Sequence, residues 1–211
     1  MTKRLYLTNQ ELVAEVEVLH CCREADGSYA VLLAETPFHP QGGGQSSDVG
    51  WLDEVEVTRV VVEDEDVIHY TREPVGLGPK LARINAEQRL LHSRLHSAGH
   101  VIGYVMEHLG WKPIKAHHWP GEGRIVCIPD VVAQDLVIED IQLRCDQLIA
   151  EDLPCQISST AEKREIAFGY LHSYACGGTH VASLKQVGKI EIQTVRIKKG
   201  EASVRYDVGF L

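Results

Sequence analysis

The pattern of apolar and polar positions changes character partway along the chain. In Ala14-Glu15-Val16-Glu17-Val18-Leu19 the two kinds of residue alternate, residues 29–33 form a short apolar run, and residues 54–62 are strand-like. Asp26-Gly27-Ser28 marks a turn between the first two. Short strands punctuated by Gly and Pro predict a small N-terminal β-barrel. Gly76-Leu77-Gly78-Pro79 then interrupts the pattern, which sets one domain over 1–75 and a second over 76–211.

Beyond Asn85 the period becomes helical. Asn85, with Gln88 three residues on, can cap a helix start, and Leu90, Leu91, Leu95, Ala98, Val101, Ile102, Val105 and Leu109 recur at helical spacing up to Gly110. The spacing predicts a second helix over 132–151, with Leu136, Ile138, Ile141, Leu143, Leu148 and Ile149 on its apolar side, and a shorter third over 160–170. Strands are expected over 189–193, 194–197 and 202–208. Helices segregated from antiparallel strands make the fold α+β: a small barrel followed by an α/β domain with an antiparallel sheet and one long helix.

Composition narrows the setting. A chain of 211 residues, 44% hydrophobic and 24% charged, can bury a core without disulfides. No apolar run approaches the roughly 20 residues that span a bilayer, so no membrane association is expected. Met1 through Leu7 contains two basic residues and is followed by polar Thr8-Asn9-Gln10-Glu11, which predicts no signal peptide and a cytoplasmic location. The net charge of −9 excludes nucleic-acid binding over the whole surface and requires any such contact to use a local basic patch. The six cysteines show no repeated CxxC spacing and read as reduced, buried or metal-binding.

The histidines carry the candidate chemistry. His96 and His100 lie four apart on the long helix, so their rings project from one face and can reach a single ion. Ser97 stands where a HExxH protease places its glutamate. Cys176 and His180 repeat the four-residue spacing inside Cys176-Gly177-Gly178-Thr179-His180, where paired glycines permit a tight turn. One thiolate and three imidazoles suit Zn²⁺, one per chain, and make the long helix zinc-bearing. Spacing leaves open whether His180 is a direct ligand or sits beside a zinc-bound water.

His96-Ser97-Ala98-Gly99-His100 together with Cys176-Gly177-Gly178-Thr179-His180 resembles the HxxxH and CxxxH pairs of the alanyl-tRNA editing family. That family includes the editing domain of alanyl-tRNA synthetase, the free-standing AlaX proteins and, more distantly, the threonyl-tRNA synthetase editing domain. Thr36-Pro37-Phe38-His39-Pro40-Gln41-Gly42-Gly43-Gly44-Gln45, followed by Asp48 and Gly50, is similar to the "TPFY…GGQ…D.G" segment of the synthetase and of the longer, two-domain AlaX proteins. Lys115-Ala116-His117-His118-Trp119-Pro120 is similar to a "KGYHFP" segment, and the stretches from Val187 and Val204 resemble the closing strands. The resemblance runs from about residue 15 to 208. It departs at Gly99, which costs about 1 kcal/mol of helix propensity, and at His39, which replaces an aromatic residue.

The resemblance implies an enzyme acting in trans, a zinc-dependent aminoacyl-tRNA deacylase of 76–211 that cleaves Ser-tRNA(Ala), with Gly-tRNA(Ala) as a second substrate. The alternative is a zinc-stabilised, non-catalytic tRNA-binding module. Metal ligands are then His96, His100, Cys176 and His180. His117, His118 and Thr179 are candidates for proton transfer and recognition of the serine hydroxyl, and Gly42, Gly43, Gly44 and Gln45 for substrate binding. Lys185, Lys189, Arg196, Lys198 and Lys199 are candidate tRNA contacts or a solvated strand face, and Arg89 and Arg94 on the long helix are further candidates. The expected partner is mischarged tRNA(Ala), and a monomer is expected.

Overall fold

The computed structural model describes residues 1–160 and 163–209. Its fold mixes α and β and divides into two compact units, each with its own hydrophobic core. The first comprises Met1–Gly42 and Ser46–Leu90; the second comprises Gly43–Gln45 and the chain from Leu91 onward.

The strands of the first unit are β1 (Lys3–Arg4), β2 (Val13–Arg23), β3 (Tyr29–Leu33), β4 (Glu35–Thr36), β5 (Gly50–Leu52), β6 (Val55–Glu63), β7 (Asp66–Thr71) and β8 (Gly78–Ile84). β1 and β4 form a short parallel pair, while β2, β3, β7, β6, β5 and β8 close antiparallel into a barrel. Period-two burial drives this closure. Val67, His69 and Thr71 of β7 point inward, alongside Val16, Val18, Val31, Leu33, Leu52, Val57, Val60 and Ala82. The unit therefore does not end at residue 75. Gly76-Leu77-Gly78-Pro79 leads into β8, which pairs with both β2 and β5 and is required to close the barrel.

The loop between β4 and β5 is held by a buried ion pair. Arg89 Nε lies 2.9 and 3.0 Å from the two Asp48 carboxylate oxygens, its Nη2 also meets Asp48, and Nη2 donates to Pro37 O at 2.8 Å. Asp48 Oδ2 accepts the His39 N–H as well. Burying a charge requires this degree of satisfaction, and here it fixes the loop's path.

α1 (Ala86–His108) starts within the first unit and runs on into the second from Leu91, followed there by β9 (Trp111–His117), β10 (Arg124–Pro129), α2 (Ile138–Ala150), β11 (Cys155–Ser159), β12 (Arg164–Phe168), β13 (Tyr174–Ala175), β14 (Ile190–Lys198) and β15 (Glu201–Val208). Asn85 Oδ1 accepts the Gln88 N–H at 3.1 Å and caps α1, which stops at Gly110 in the left-handed region (φ 78°). Leu95, Ala98, Val101, Ile102, Val105, Met106 and Leu109 are buried along α1, whereas Leu90 is largely exposed. Arg89, His92, Ser93, Arg94, His96 and Ser97 are buried too, so the polar side of this helix is also covered. The sheet order is β14-β15-β10-β9, and a second sheet runs β11-β12-β13. Among the described residues no helix is long and apolar enough to cross a membrane.

Three sequence expectations change. The second helix begins at Ile138, with Glu139 and Asp140 in its first turn favouring the helix dipole, and Val131, Val132 and Val137 are exposed before it. Its buried seam is Ile141, Cys145 and Leu148, not Leu143. The third helix, expected over 160–170, is absent among the described residues, and residues 161–162 of that span lie outside them. In its place Arg-Glu-Ile-Ala-Phe alternates as β12, burying Ile166 and Phe168 and pairing with β11 and β13. Residues 190–198 are a single strand with a bulge between Ile192 and Thr194, not two strands.

Candidate metal centre and its cavity

His96 and His100 project from one face of α1, and the loop after β13 brings Cys176 and His180 to them. Their potential ligand atoms all lie within 4.8 Å of one another. Cys176 Sγ is 3.4 Å from His96 Nε2 and 3.3 Å from His180 Nε2. Gly178 is obligatory in this loop, because a Cβ there would stand 2.2 Å from the His96 ring. Arg164 clamps the same loop, its Nη1 donating to Cys176 O at 2.6 Å and Gly178 O at 3.1 Å. The Gly178 N–H points at Cys176 Sγ.

Burial governs the charge of the donor atoms. Burial raises the Cys176 thiol pKa, opposed by the Gly178 N–H and the Arg164 charge. Burial, with Arg164 and His172 assisting, pushes His100 down to about 4, so its imidazole is neutral and offers a lone pair at ordinary pH. Soft sulfur and neutral ring nitrogens converging on one point are a donor set that fits a borderline-soft divalent ion.

A further set of side chains orients this cluster. Gln45 Oε1 lies 2.7 Å from His96 Nδ1 and also accepts the Thr179 N–H at 3.0 Å, while Gln45 Nε2 donates to Thr179 Oγ1 at 2.8 Å. Ser97 Oγ contacts His180 Nδ1 at 3.1 Å and accepts the Val181 N–H. Ser97 thus occupies the protease glutamate's position as a brace, not a base.

Beside the cluster lies a cavity of about 290 Å³, lined by His96, His100, Tyr174 and Cys176 together with Gly43, Lys115 and His118. No carboxylate lines it among the described residues. His118 stacks on His96 with ring centroids 4.3 Å apart. Its Nδ1 is 2.6 Å from the Tyr206 hydroxyl, which in turn donates to Leu95 O at 3.0 Å. A carbonyl only accepts, so the single Tyr206 proton goes to Leu95 and His118 Nδ1 must carry a hydrogen. Nε2 therefore keeps the lone pair. Burial, with His100 and His117 nearby, lowers the His118 pKa to about 3 and keeps the ring neutral.

The remaining sequence candidates separate. His117 does not line the cavity; it stacks on Trp119 and meets Glu122 at 3.3 Å. Thr179 and Gln45 do not line it either, and their polar atoms bond to each other, to Ser93 and to His96. Gly43 lines the cavity with a positive φ of 56°, whereas Gly42 is exposed in the first unit. Gly44 O accepts the His118 N–H at 2.8 Å, and a Cβ on Gly44 would press within 2.6 Å of Ala116 O. Lys185, Lys189, Arg196, Lys198 and Lys199 are all exposed, whereas Arg89 and Arg94 are buried, the first on Asp48 and the second on Val187 O, and are not surface contacts. β14 rises about 3.3 Å per residue, which puts Lys189 roughly 30 Å from Lys198 and splits the five into two groups.

Sequence reasoning missed Arg164, Tyr174 and Tyr206. Tyr174 lines the cavity while its hydroxyl donates to Glu107 at 2.9 Å, and His172 contacts the same carboxylate at 2.8 Å. The one available signal was adjacency, since Tyr174-Ala175 leads directly into Cys176.

Comparison with known proteins bears on this site. Residues 164–205, which include Cys176 and His180, match the threonyl and alanyl tRNA synthetase second additional domain. The chain is 28% identical to the alanyl-tRNA editing protein AlaX-M of Pyrococcus horikoshii, covering 90% of each. It is 25% identical to the alanyl-tRNA editing protein Aarsd1 of Rattus norvegicus over 89% of this chain and 51% of that protein. It is 27% identical to an alanine–tRNA ligase of Haloquadratum walsbyi over 92% of this chain and 24% of the ligase. The chain thus spans about a quarter of the ligase and about half of Aarsd1.

Proposed function

We propose that the chain is an alanyl-tRNA editing protein of the AlaX type and that it hydrolyses the ester of a wrongly attached amino acid on tRNA(Ala), a reading supported by its similarity to such proteins. Ser-tRNA(Ala) is the main substrate and Gly-tRNA(Ala) a second. The observation that carries the reading is the convergence of His96, His100, Cys176 and His180, the first three of which line a cavity of about 290 Å³. That volume is at the low end of small-molecule sites, about 300–1,000 Å³, and suits a small amino acid esterified to a terminal ribose.

His96, His100 and Cys176, with His180 as the fourth donor, would hold zinc, which would supply Lewis-acid polarisation and activation of water. The protein's residues do the rest. Gln45 fixes the ring of His96. Tyr206 fixes that of His118, which leaves the Nε2 lone pair of a neutral ring to accept a hydrogen bond. With Gln45 and Thr179 outside the lining and the Tyr174 proton given to Glu107, His118 and Lys115 are the polar lining side chains left to meet the serine hydroxyl and terminal nucleotide, and Tyr174 offers only an acceptor oxygen. Rejecting alanine requires such a partner, because a buried polar group left without its ligand penalises the analogue that lacks the hydroxyl.

One observation favours a second reading. Four protein donors are enough to close a tetrahedral zinc, as in structural sites, which would make the chain a zinc-stabilised tRNA-binding module. Deacylation of Ser-, Gly- and Ala-tRNA(Ala), with and without chelator, separates the two. The enzyme reading expects release of serine, less of glycine, little of alanine and none after chelation. Zinc-loaded protein that releases nothing while still binding tRNA establishes the module instead.

A further inference from the structure

The sheet β14-β15-β10-β9 has one face in the core and one in solvent. Ile125, Cys127, Ala202, Val204 and Tyr206 point inward and are buried. Directly opposed residues in antiparallel strands share a face, so the registers assemble the outer one. One row runs His117, Arg124, Arg205, Thr194; the next runs Lys115, Val126, Ser203, Arg196. Lys198 lies opposite Glu201, and Lys112 opposite Ile128. Arg124, Arg196, Arg205, Lys112, Lys115 and Lys198 are all exposed.

With strands about 4.8 Å apart and same-face residues about 7 Å apart, these six cations occupy a patch roughly 15–20 Å across. Acidic groups stay at its borders: Glu201 by Lys198, Asp207 with Glu191 towards the start of β14, and Glu122 beside His117. Among the described residues none of the six cations makes an ion pair, and Arg205 Nη2 donates to Gly121 O at 3.4 Å. A chain of net charge −9 therefore concentrates unneutralised positive charge on one sheet face. Lys115 carries that face to the cavity lining.

We propose that the outer face of this sheet grips the phosphate backbone of RNA, with Arg124, Arg196 and Arg205 at its centre and Lys115 leading the strand end into the cavity. The choice of RNA among polyanions rests on the editing reading above. The proposal removes Lys185 and Lys189 from the contact surface, because they lie at the far end of β14, and it adds residues from three other strands.

The test is binding of uncharged tRNA(Ala), which has no ester to cut, so the result is independent of whether the chain is a deacylase. Each phosphate contact contributes about 0.7–0.9 to the slope of log K against log salt. The triple variant Arg124→Gln/Arg196→Gln/Arg205→Gln is expected to lose about tenfold or more in affinity near 0.1 M salt and to flatten that slope by about 2–3. Single Arg196→Gln, which tests the same point with less perturbation, flattens it by about 1. Lys185→Gln/Lys189→Gln leaves the slope unchanged. Zinc content and melting temperature of every variant report that the fold is intact. An unchanged slope in the single and triple variants, a loss confined to the Lys185/Lys189 variant, or no tRNA binding by the wild type overturns the proposal.

Discussion

Gln45 Oε1 accepts the His96 Nδ1 hydrogen at 2.7 Å and the Thr179 backbone N–H at 3.0 Å. A backbone N–H only donates, so the atom at that position is the amide oxygen, and His96 Nδ1 must be the protonated ring nitrogen. The bare Nε2 is then the atom 3.4 Å from Cys176 Sγ. A hydrogen-bond acceptor behind a metal-binding imidazole fixes its tautomer and raises its basicity.

This relationship predicts the behaviour of Gln45 variants. Gln45→Leu removes the acceptor and is expected to weaken zinc binding about 10–100-fold, whereas Gln45→Glu keeps the acceptor and loses less. Competition against a chromophoric chelator measures both. Equal affinities for wild type and Gln45→Leu would show that the amide plays no part in metal binding.

The four-donor cluster predicts how metal couples to stability. A ligand present at about 100 times its Kd stabilises the folded state by about 2.7 kcal/mol, so chelation should lower the melting temperature of the wild type. Cys176→Ala should melt at nearly the same temperature with and without chelator. Cobalt(II) should give a thiolate charge-transfer band in the wild type that is missing from Cys176→Ala. A band that survives the substitution removes Cys176 from the ligand set.

Gly99 is constrained by His118. A Cβ at position 99 would stand 2.3 Å from His118 Cε1 and 3.0 Å from the Tyr206 hydroxyl. Alanine gains about 1 kcal/mol of helix propensity, but overpacking costs about 1–3 kcal/mol. Gly99→Ala is therefore expected to gain nothing in thermal stability and to slow deacylation by displacing the His118 ring. A variant that is both more stable and fully active would mean that the ring relocates without consequence.

What could be read from the sequence was what local periodicity carries. His96 and His100 follow from helix geometry, and Cys176 and His180 from a four-residue repeat beside two glycines. Gln45 could not be assigned its part, because its partners lie 51 and 134 positions away and only the fold brings them together. Tyr206 reads as a strand hydrophobe, and its hydroxyl gains meaning only through contacts 88 and 111 residues distant. β12 is hidden in the sequence because five residues of alternation are outweighed by helix-compatible Ala, Glu, Lys and Arg around them, while the pairing with β11 and β13 that decides the matter is non-local. The basic sheet face was half visible: Arg196 and Lys198 are neighbours in sequence, but Arg124 and Arg205 become neighbours only through strand register.

The barrel carries a titratable group with a pH signature of its own. His69 is fully buried, donates from Nδ1 to Val31 O at 3.2 Å, and accepts at Nε2 from the Thr36 hydroxyl at 2.7 Å. The carbonyl can only accept, so both contacts are made by the neutral ring and protonation breaks the second. Burial lowers its pKa from 6.5 to about 4, against the opposing Val31 bond. For a histidine with a lowered folded pKa, the unfolded chain takes up the proton first as pH falls. The stability contributed by the neutral ring is therefore complete above about 6.5 and is lost progressively down to about 4, to the extent of about 3 kcal/mol. His69→Gln removes the titration at some cost in packing, so its melting temperature should start lower at pH 7.5 and fall less between pH 6.5 and 4.5. Parallel declines in the two proteins would assign the acid sensitivity to other groups.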